Sequence, residues 1–63
     1  MQLTVNDEGR LLPEGATVAD VVGEATRGVT VAVNQEIVPR SAWPAVALHE
    51  GDRIEILEAH QGG

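Results

Sequence analysis

Sixty-three residues make one domain, of a size that buries only ~60% of the surface its unfolded chain exposes and is therefore marginally stable. The chain has no cysteine, which excludes disulfides, thiolate metal sites and a thiol nucleophile and leaves the fold to its aliphatic residues. A net charge of −6, with Arg10, Arg27, Arg40 and Arg53 as the cationic side chains and no lysine, speaks against nucleic acid and anionic membranes, which reward basic patches, and for encounter with basic protein surfaces.

Residues Gln2–Asn6 alternate, with Leu3 and Val5 toward a core and Gln2 and Thr4 outward, the period of a half-buried strand. Asn6-Asp7-Glu8-Gly9 is a cluster of turn residues. Arg10–Leu12 then returns as a short strand before Pro13, so the opening reads as a β-hairpin. After the turn Pro13-Glu14-Gly15, Thr17 and Asp20 stand three apart at a capped helix start. Val18, Val21, Val22 and Ala25 form one apolar stripe at helical spacing, which predicts a helix from Val18 to Arg27 ended by Gly28. Val29–Val33 is a β-branched run that reads as a buried strand, Asn34-Gln35 a turn, and Glu36–Val38 a further extended stretch stopped by Pro39. Arg40–Trp43 suits one helical turn, with Trp43 expected at the edge of the core. Val46–Leu48 is short and extended, Glu50-Gly51-Asp52 a tight turn, and Arg53–Leu57 the last strand, Ile54 and Ile56 inward. This order predicts an α+β fold, a mixed sheet with one main helix packed on one face. The expected core is Leu3, Val5, Val18, Val21, Val22, Val31, Val33, Ile54 and Ile56.

Internal chemistry is sparse. The glycines form neither GxGxxG nor GxxxxGK[ST], and His49 and His60 lack a metal-ligand spacing, so no metal is expected. Ser41 and His49 have no evident third, orienting partner. Glu50, Asp52, Glu55 and Glu58 read as a solvated acidic face around the last strand. A body this small is expected to lack a pocket of ~300 Å³ or more, so no catalytic residue and no bound cofactor are assigned. No charged segment leading into an apolar one opens the chain, and no apolar run approaches ~18 residues; a cytoplasmic protein, monomeric alone, is the expectation.

The tail is the exception. Gly62-Gly63 follow the last strand through a short polar spacer. A frayed terminus is one account of such a pair. The other is access: a chain without side chains threads a narrow tunnel, and the Gly63 carboxylate is unhindered for attack on the α-phosphate of a nucleotide, giving an acyl adenylate that a sulfur nucleophile can displace. A chain whose end becomes an activated acyl group also gains from having no side-chain amines.

Together these residues resemble a known family. Val31-Ala32-Val33-Asn34-Gln35-Glu36-Ile37-Val38-Pro39-Arg40 with Trp43, then Glu50-Gly51-Asp52-Arg53-Ile54-Glu55-Ile56-Leu57, then Gly62-Gly63, look like the ThiS sulfur carriers along essentially the whole chain. His60 and Gln61 depart from the small apolar residue that many relatives place before the diglycine. The resemblance implies a ubiquitin-like β-grasp of four to five strands over residues 1–58 and a flexible tail over residues 59–63. It implies that Gly63 becomes an acyl adenylate and then a thiocarboxylate, with Gly62 threading the partner. A ThiF-like adenylyltransferase would use ATP and magnesium for the first step. A cysteine desulfurase or sulfurtransferase would be the indirect sulfur source, and a ThiG-like thiazole synthase the acceptor in thiamine synthesis. Leu57 and either Val38 or Ile37 cannot all face the core, so they are candidates for a docking patch on the open sheet face. A carrier for molybdopterin or cysteine synthesis and a plain β-grasp interaction module remain as alternatives.

Overall fold

The computed structural model of the chain describes residues 1–23 and 28–58. Its elements are β1 (Gln2–Val5), β2 (Glu8–Leu11), α1 (Val18–Val22), β3 (Val29–Val33), β4 (Glu36–Val38), a 3₁₀ helix (Arg40–Ala45) and β5 (Arg53–Glu58). The five strands form one mixed sheet in the order β2-β1-β5-β3-β4. β1 and β5 are parallel and every other neighbouring pair is antiparallel. Two hairpins thus flank a central strand that comes last in the chain.

Both hairpins close through two-residue turns, Asn6-Asp7 with φ of 51° and 69° and Asn34-Gln35 with φ of 51° and 70°. Positive φ at both central residues is the mark of a type I′ turn, whose twist matches that of the strands it joins. The first hairpin therefore turns more tightly than the Asn6–Gly9 cluster suggested. Glu8 and Gly9 pair with Val5 and Thr4 as strand residues, because asparagine and aspartate tolerate the left-handed region and two residues suffice. The ladder extends beyond β1 and β2 through Met1, whose nitrogen donates to the Leu12 carbonyl at 2.7 Å while the Leu12 N–H donates to the Met1 carbonyl at 2.9 Å.

Helix α1 starts as expected. The Asp20 carboxylate accepts from the Thr17 backbone N–H at 2.8 Å and from its hydroxyl at 3.3 Å, the reciprocal half of a capping box. It ends earlier than expected, at Gly23, which takes φ of 68° and donates its N–H to the Ala19 carbonyl. Glycine adopts that backbone without a Cβ penalty and so stops the helix where it stands. The remainder of the predicted helix, residues 24–27, lies outside the described residues. Val46–Leu48 runs antiparallel to the start of α1 through a single bridge, Thr17 to Ala47, with the Val18 N–H on the Val46 carbonyl and the Leu48 N–H on the Ala16 carbonyl.

The core lies between the inner sheet face and α1 with the 3₁₀ helix: Leu3, Val5, Val18, Val22, Val31, Trp43, Leu48 and Ile54. Val21, Val33 and Ile56 pack at its periphery. Trp43, expected at the edge, is buried to 4% exposure, and its indole N–H donates to the Val38 carbonyl at 2.9 Å. Among the described residues no helix is long and apolar enough to cross a membrane.

Candidate functional site

Strand β5 leads into residues 59–63, and everything the fold does to β5 bears on where that segment begins. Gly62 and Gly63 themselves lie outside the described residues. The platform before them is held from both sides by the two turn asparagines. On the β3 side, the Asn34 Oδ1 accepts from the Arg53 N–H at 3.0 Å, its own N–H donates to the Arg53 carbonyl at 2.8 Å, and its Nδ2 donates to Asp52 Oδ1 at 3.0 Å. On the β1 side, Asn6 Oδ1 accepts from the Ile56 N–H at 2.8 Å and Asn6 Nδ2 donates to the Ile56 carbonyl at 3.2 Å.

The turn into β5 is equally specified. Gly51 has φ of 83°, the value a type II turn requires at its third residue. Its N–H donates to the Gln2 carbonyl at 2.7 Å, while Glu50 Oε1 accepts from the Gln2 N–H at 2.8 Å. Asp52 Oδ2 accepts from the His49 N–H at 2.8 Å. Glu50, which is exposed, and Asp52 thus also accept from backbone N–H groups, a role that the expectation of a solvated acidic face did not include. His49 Nδ1 lies 3.8 Å from Asp52 Oδ2. Sequence reasoning missed the roles of Asn6, Asn34, Glu50 and Asp52. The available signal was an asparagine opening each two-residue turn between alternating strands.

Pairing register sorts the sheet faces, because directly opposed residues share a face. Leu57 stands opposite Thr30, while Ala32 stands between Ile37 and Glu55. These residues, with Arg53, Thr4, Gln2 and Leu11, form the face that carries no helix among the described residues. Ile37 is 62% exposed, Leu57 63% and Leu11 80%. Ala32 is buried between its neighbours, so Ile37 and Leu57 flank a shallow floor. Leu11 sits at the far corner, opposite Gln2. Of the pair offered for docking, Ile37 faces out, whereas Val38 turns inward and packs on the core.

A pocket does exist, contrary to expectation: an open groove of about 340 Å³ between β4 and the 3₁₀ helix, lined by Val38, Pro39, Ala42, Val46 and Ala47, with His49 and Asp52 at its polar end. Among the described residues no three His, Asp or Glu side chains converge as a metal would require.

Comparison with known proteins extends this geometry. The ThiS family model matches residues 1–63. The chain belongs to the ThiS family. Within the family, it is 32% identical to the sulfur carrier protein ThiS of Escherichia coli K12 over 66 aligned positions, and the match covers all of both chains. It is 39% identical to a thiazole synthase of Paramagnetospirillum magneticum over 66 positions, of which it spans only 20% of the length. The crystal structure of the ThiS thiamine biosynthesis protein of Geobacter metallireducens superposes with a TM-score of 0.83 at 30% identity, over the whole of both chains. The solution structure of a thiamine biosynthesis protein from that organism gives 0.78 at 30% identity, covering all of this chain and 88% of the other. The five-stranded mixed sheet with its short helix is the β-grasp expected of the family. Membership agrees with the expectation of a sulfur carrier of thiamine biosynthesis that is not itself a catalyst.

Proposed function

We propose that this ThiS-family chain carries sulfur for thiazole formation on the carboxylate of Gly63. The observation that carries this reading is the family match along residues 1–63, which takes in the terminal diglycine. In the first step the Gly63 carboxylate attacks the α-phosphate of ATP, bound with magnesium by a ThiF-like adenylyltransferase, and pyrophosphate leaves. A persulfide formed from cysteine on a desulfurase or sulfurtransferase then attacks the acyl carbon and AMP leaves; a second thiol attacks the donor's sulfur in the resulting acyl disulfide, forms a disulfide with it and releases the thiocarboxylate. Glycine is suited to both steps, because no Cβ obstructs the carbonyl carbon or the tunnel that brings it in. The described part of the chain supplies no reacting group. It supplies a docking body and an aimed strand, and proximity in the partner's site does the rest.

A ThiG-like thiazole synthase is the acceptor on this reading. Support comes from the Paramagnetospirillum thiazole synthase, a fifth of whose length resembles this carrier. The open sheet face, with Leu57 and Ile37 beside Glu55, is the surface offered to these partners; its apolar residues give area and Glu55 favours a basic counterpart.

Incubation of the full chain with the adenylyltransferase, ATP, magnesium and a sulfur source should raise its intact mass by the difference between sulfur and oxygen. Gly63→Ala should slow that conversion by about a hundredfold, the order of loss that follows misplacement of a reacting centre. A wild-type chain that never gains the mass would end the proposal. Delivery of sulfur to molybdopterin synthase in preference to thiazole synthase would reassign the pathway.

A further inference from the structure

Strand β2 is an edge of the sheet, and all four of its residues, Glu8–Leu11, are exposed. Its hydrogen-bonding parity is fixed at the open end of the hairpin, where Met1 and Leu12 each donate an N–H to the other's carbonyl. Bonded and non-bonded pairs alternate along an antiparallel ladder. Leu3–Arg10 and Val5–Glu8 are therefore bonded pairs, whereas Gly9 and Leu11, opposite Thr4 and Gln2, turn their N–H and C=O groups away from β1. No described residue takes those groups up. The other edge of the sheet is poorer, since β4 has three residues, is followed by Pro39 and turns outward only the peptide groups of Ile37. β2 is thus the edge that a further strand extends most readily.

A second copy of the chain brings the same edge. Antiparallel pairing about a twofold axis at Arg10 sets Gly9 of each copy opposite Leu11 of the other, and each such pair exchanges both N–H···O bonds. Gly9 has no Cβ, so the opposing Leu11 side chain, already exposed, has room to lie across it. Neighbouring registers offer less. Centred on Gly9, the pairing puts Leu11 opposite Asp7, which turns at φ of 69° and continues no ladder. Centred on Leu11, it puts Gly9 opposite Pro13, which has no N–H and whose carbonyl already accepts from the Ala16 N–H at 3.2 Å. In the full register Arg10 meets Arg10 of the other copy at a non-bonded position, where side chains come closest and Cα atoms are about 4.5 Å apart. Like charges directly opposed destabilise a strand pair, and Arg10 has no ion-pair partner among the described residues to offset its charge. Arg10 also shares the inner face of the sheet with Leu3, and a charge pointing inward on an edge strand disfavours the addition of another strand.

We propose that Arg10 bars β2 from pairing with a second copy of this chain: the edge is a self-association site held shut by one charge. The inference does not depend on the role assigned to Gly63.

The test compares full-length wild type, Arg10→Val, Arg10→Lys and the double variant Gly9→Pro with Arg10→Val. Sedimentation equilibrium is run over a range of concentrations at about 0.15 M salt, where a Debye length of ~8 Å screens most of the repulsion between the net charges. Arg10→Val should dimerise about tenfold or more tightly than wild type, because a like-charge pair gives way to a β-branched one. Arg10→Lys keeps the charge and should behave as wild type. Adding Gly9→Pro should abolish the gain, since it removes an N–H that points off the sheet and leaves the ladder with β1 whole. Amide exchange places the contact: Gly9 and Leu11 should exchange freely in wild type and about tenfold or more slowly in the Arg10→Val dimer. Arg10→Thr decides on the same criteria if Arg10→Val does not fold. Dimerisation of Arg10→Val no tighter than that of wild type overturns the proposal, as does an equal gain in Arg10→Lys. A dimer that survives Gly9→Pro, or Gly9 and Leu11 amides already protected in monomeric wild type, overturns it as well.

Discussion

Trp43 shows how much of this domain can hang on one side chain. It is the sole aromatic residue, it is buried, and its indole N–H meets the Val38 carbonyl at 2.9 Å. Truncation of a buried tryptophan to alanine costs about 3–5 kcal/mol, whereas a 63-residue domain at ~0.05–0.15 kcal/mol per residue has only about 3–9 kcal/mol in total. Trp43→Ala should therefore leave the chain largely unfolded in urea titrations followed by circular dichroism. Trp43→Phe should cost less, about 1–3 kcal/mol, chiefly through the Val38 carbonyl left without its donor. Gly51 makes a contrasting case. A Cβ there meets no atom within 4 Å, so sterics permit alanine; the backbone at φ of 83° does not. Gly51→Ala should lose about 1–2 kcal/mol from that strain alone, while Gly51→Asn should recover part of it; the same titration measures both.

At the scale of elements, the strands were legible because their patterns are consistent with their neighbours. Leu3 and Val5 in β1, and Ile54 and Ile56 in β5, alternate as a sheet with one covered face demands, and the Thr17–Asp20 spacing marks the helix start. Boundaries set by backbone conformation were harder. Gly23 and Gly28 both take positive φ, and nothing in the apolar stripe of α1 tells which of them stops the helix. The tight turn at Asn6-Asp7 was obscured by Gly9, a residue that looks like a turn and is a strand residue facing Thr4. Side-chain substitutes for backbone were not legible at all: that Asn6 and Asn34 reach β5 depends on which strands become neighbours, and the chain order does not place β5 between β1 and β3. Because β5 is, among the described residues, the only strand that pairs with both hairpins, its core residue should be disproportionately sensitive. Ile54, fully buried, should cost about 2–5 kcal/mol on conversion to alanine. Ile54→Ala should also raise amide exchange in β1 and β3 together, which a residue confined to one hairpin would not do.

Over the whole molecule, the two faces of the sheet divide the work. One face is closed by α1, the 3₁₀ helix and Leu48; the other is left open among the described residues, with Ile37 and Leu57 on it and the buried Ala32 beside them. Leu57→Asp should weaken binding to the adenylyltransferase or thiazole synthase by about tenfold, in the range of an apolar anchor at an interface. The melting temperature should stay nearly unchanged, since Leu57 is mostly exposed already. A large fall in melting temperature would mean that Leu57 serves the fold. With a net charge of −6, association should also slow as salt is raised if the partner surface is basic, a trend that stopped-flow measurement at several ionic strengths would register.

The central place of β5 has a further consequence, for the order of events during synthesis. The hairpin of β1 and β2 and the hairpin of β3 and β4 share no rung of their own; β5 alone joins them. A ribosome makes β5 after the other described elements, so the growing chain has two separate ribbons and no continuous five-stranded sheet until residues 53–58 have cleared the exit tunnel. Isolated two-stranded ribbons are marginal in water. Nascent chains arrested with β5 still inside the tunnel should therefore be digested by protease as readily as unfolded ones, and resistance should arrive in one step once β5 emerges.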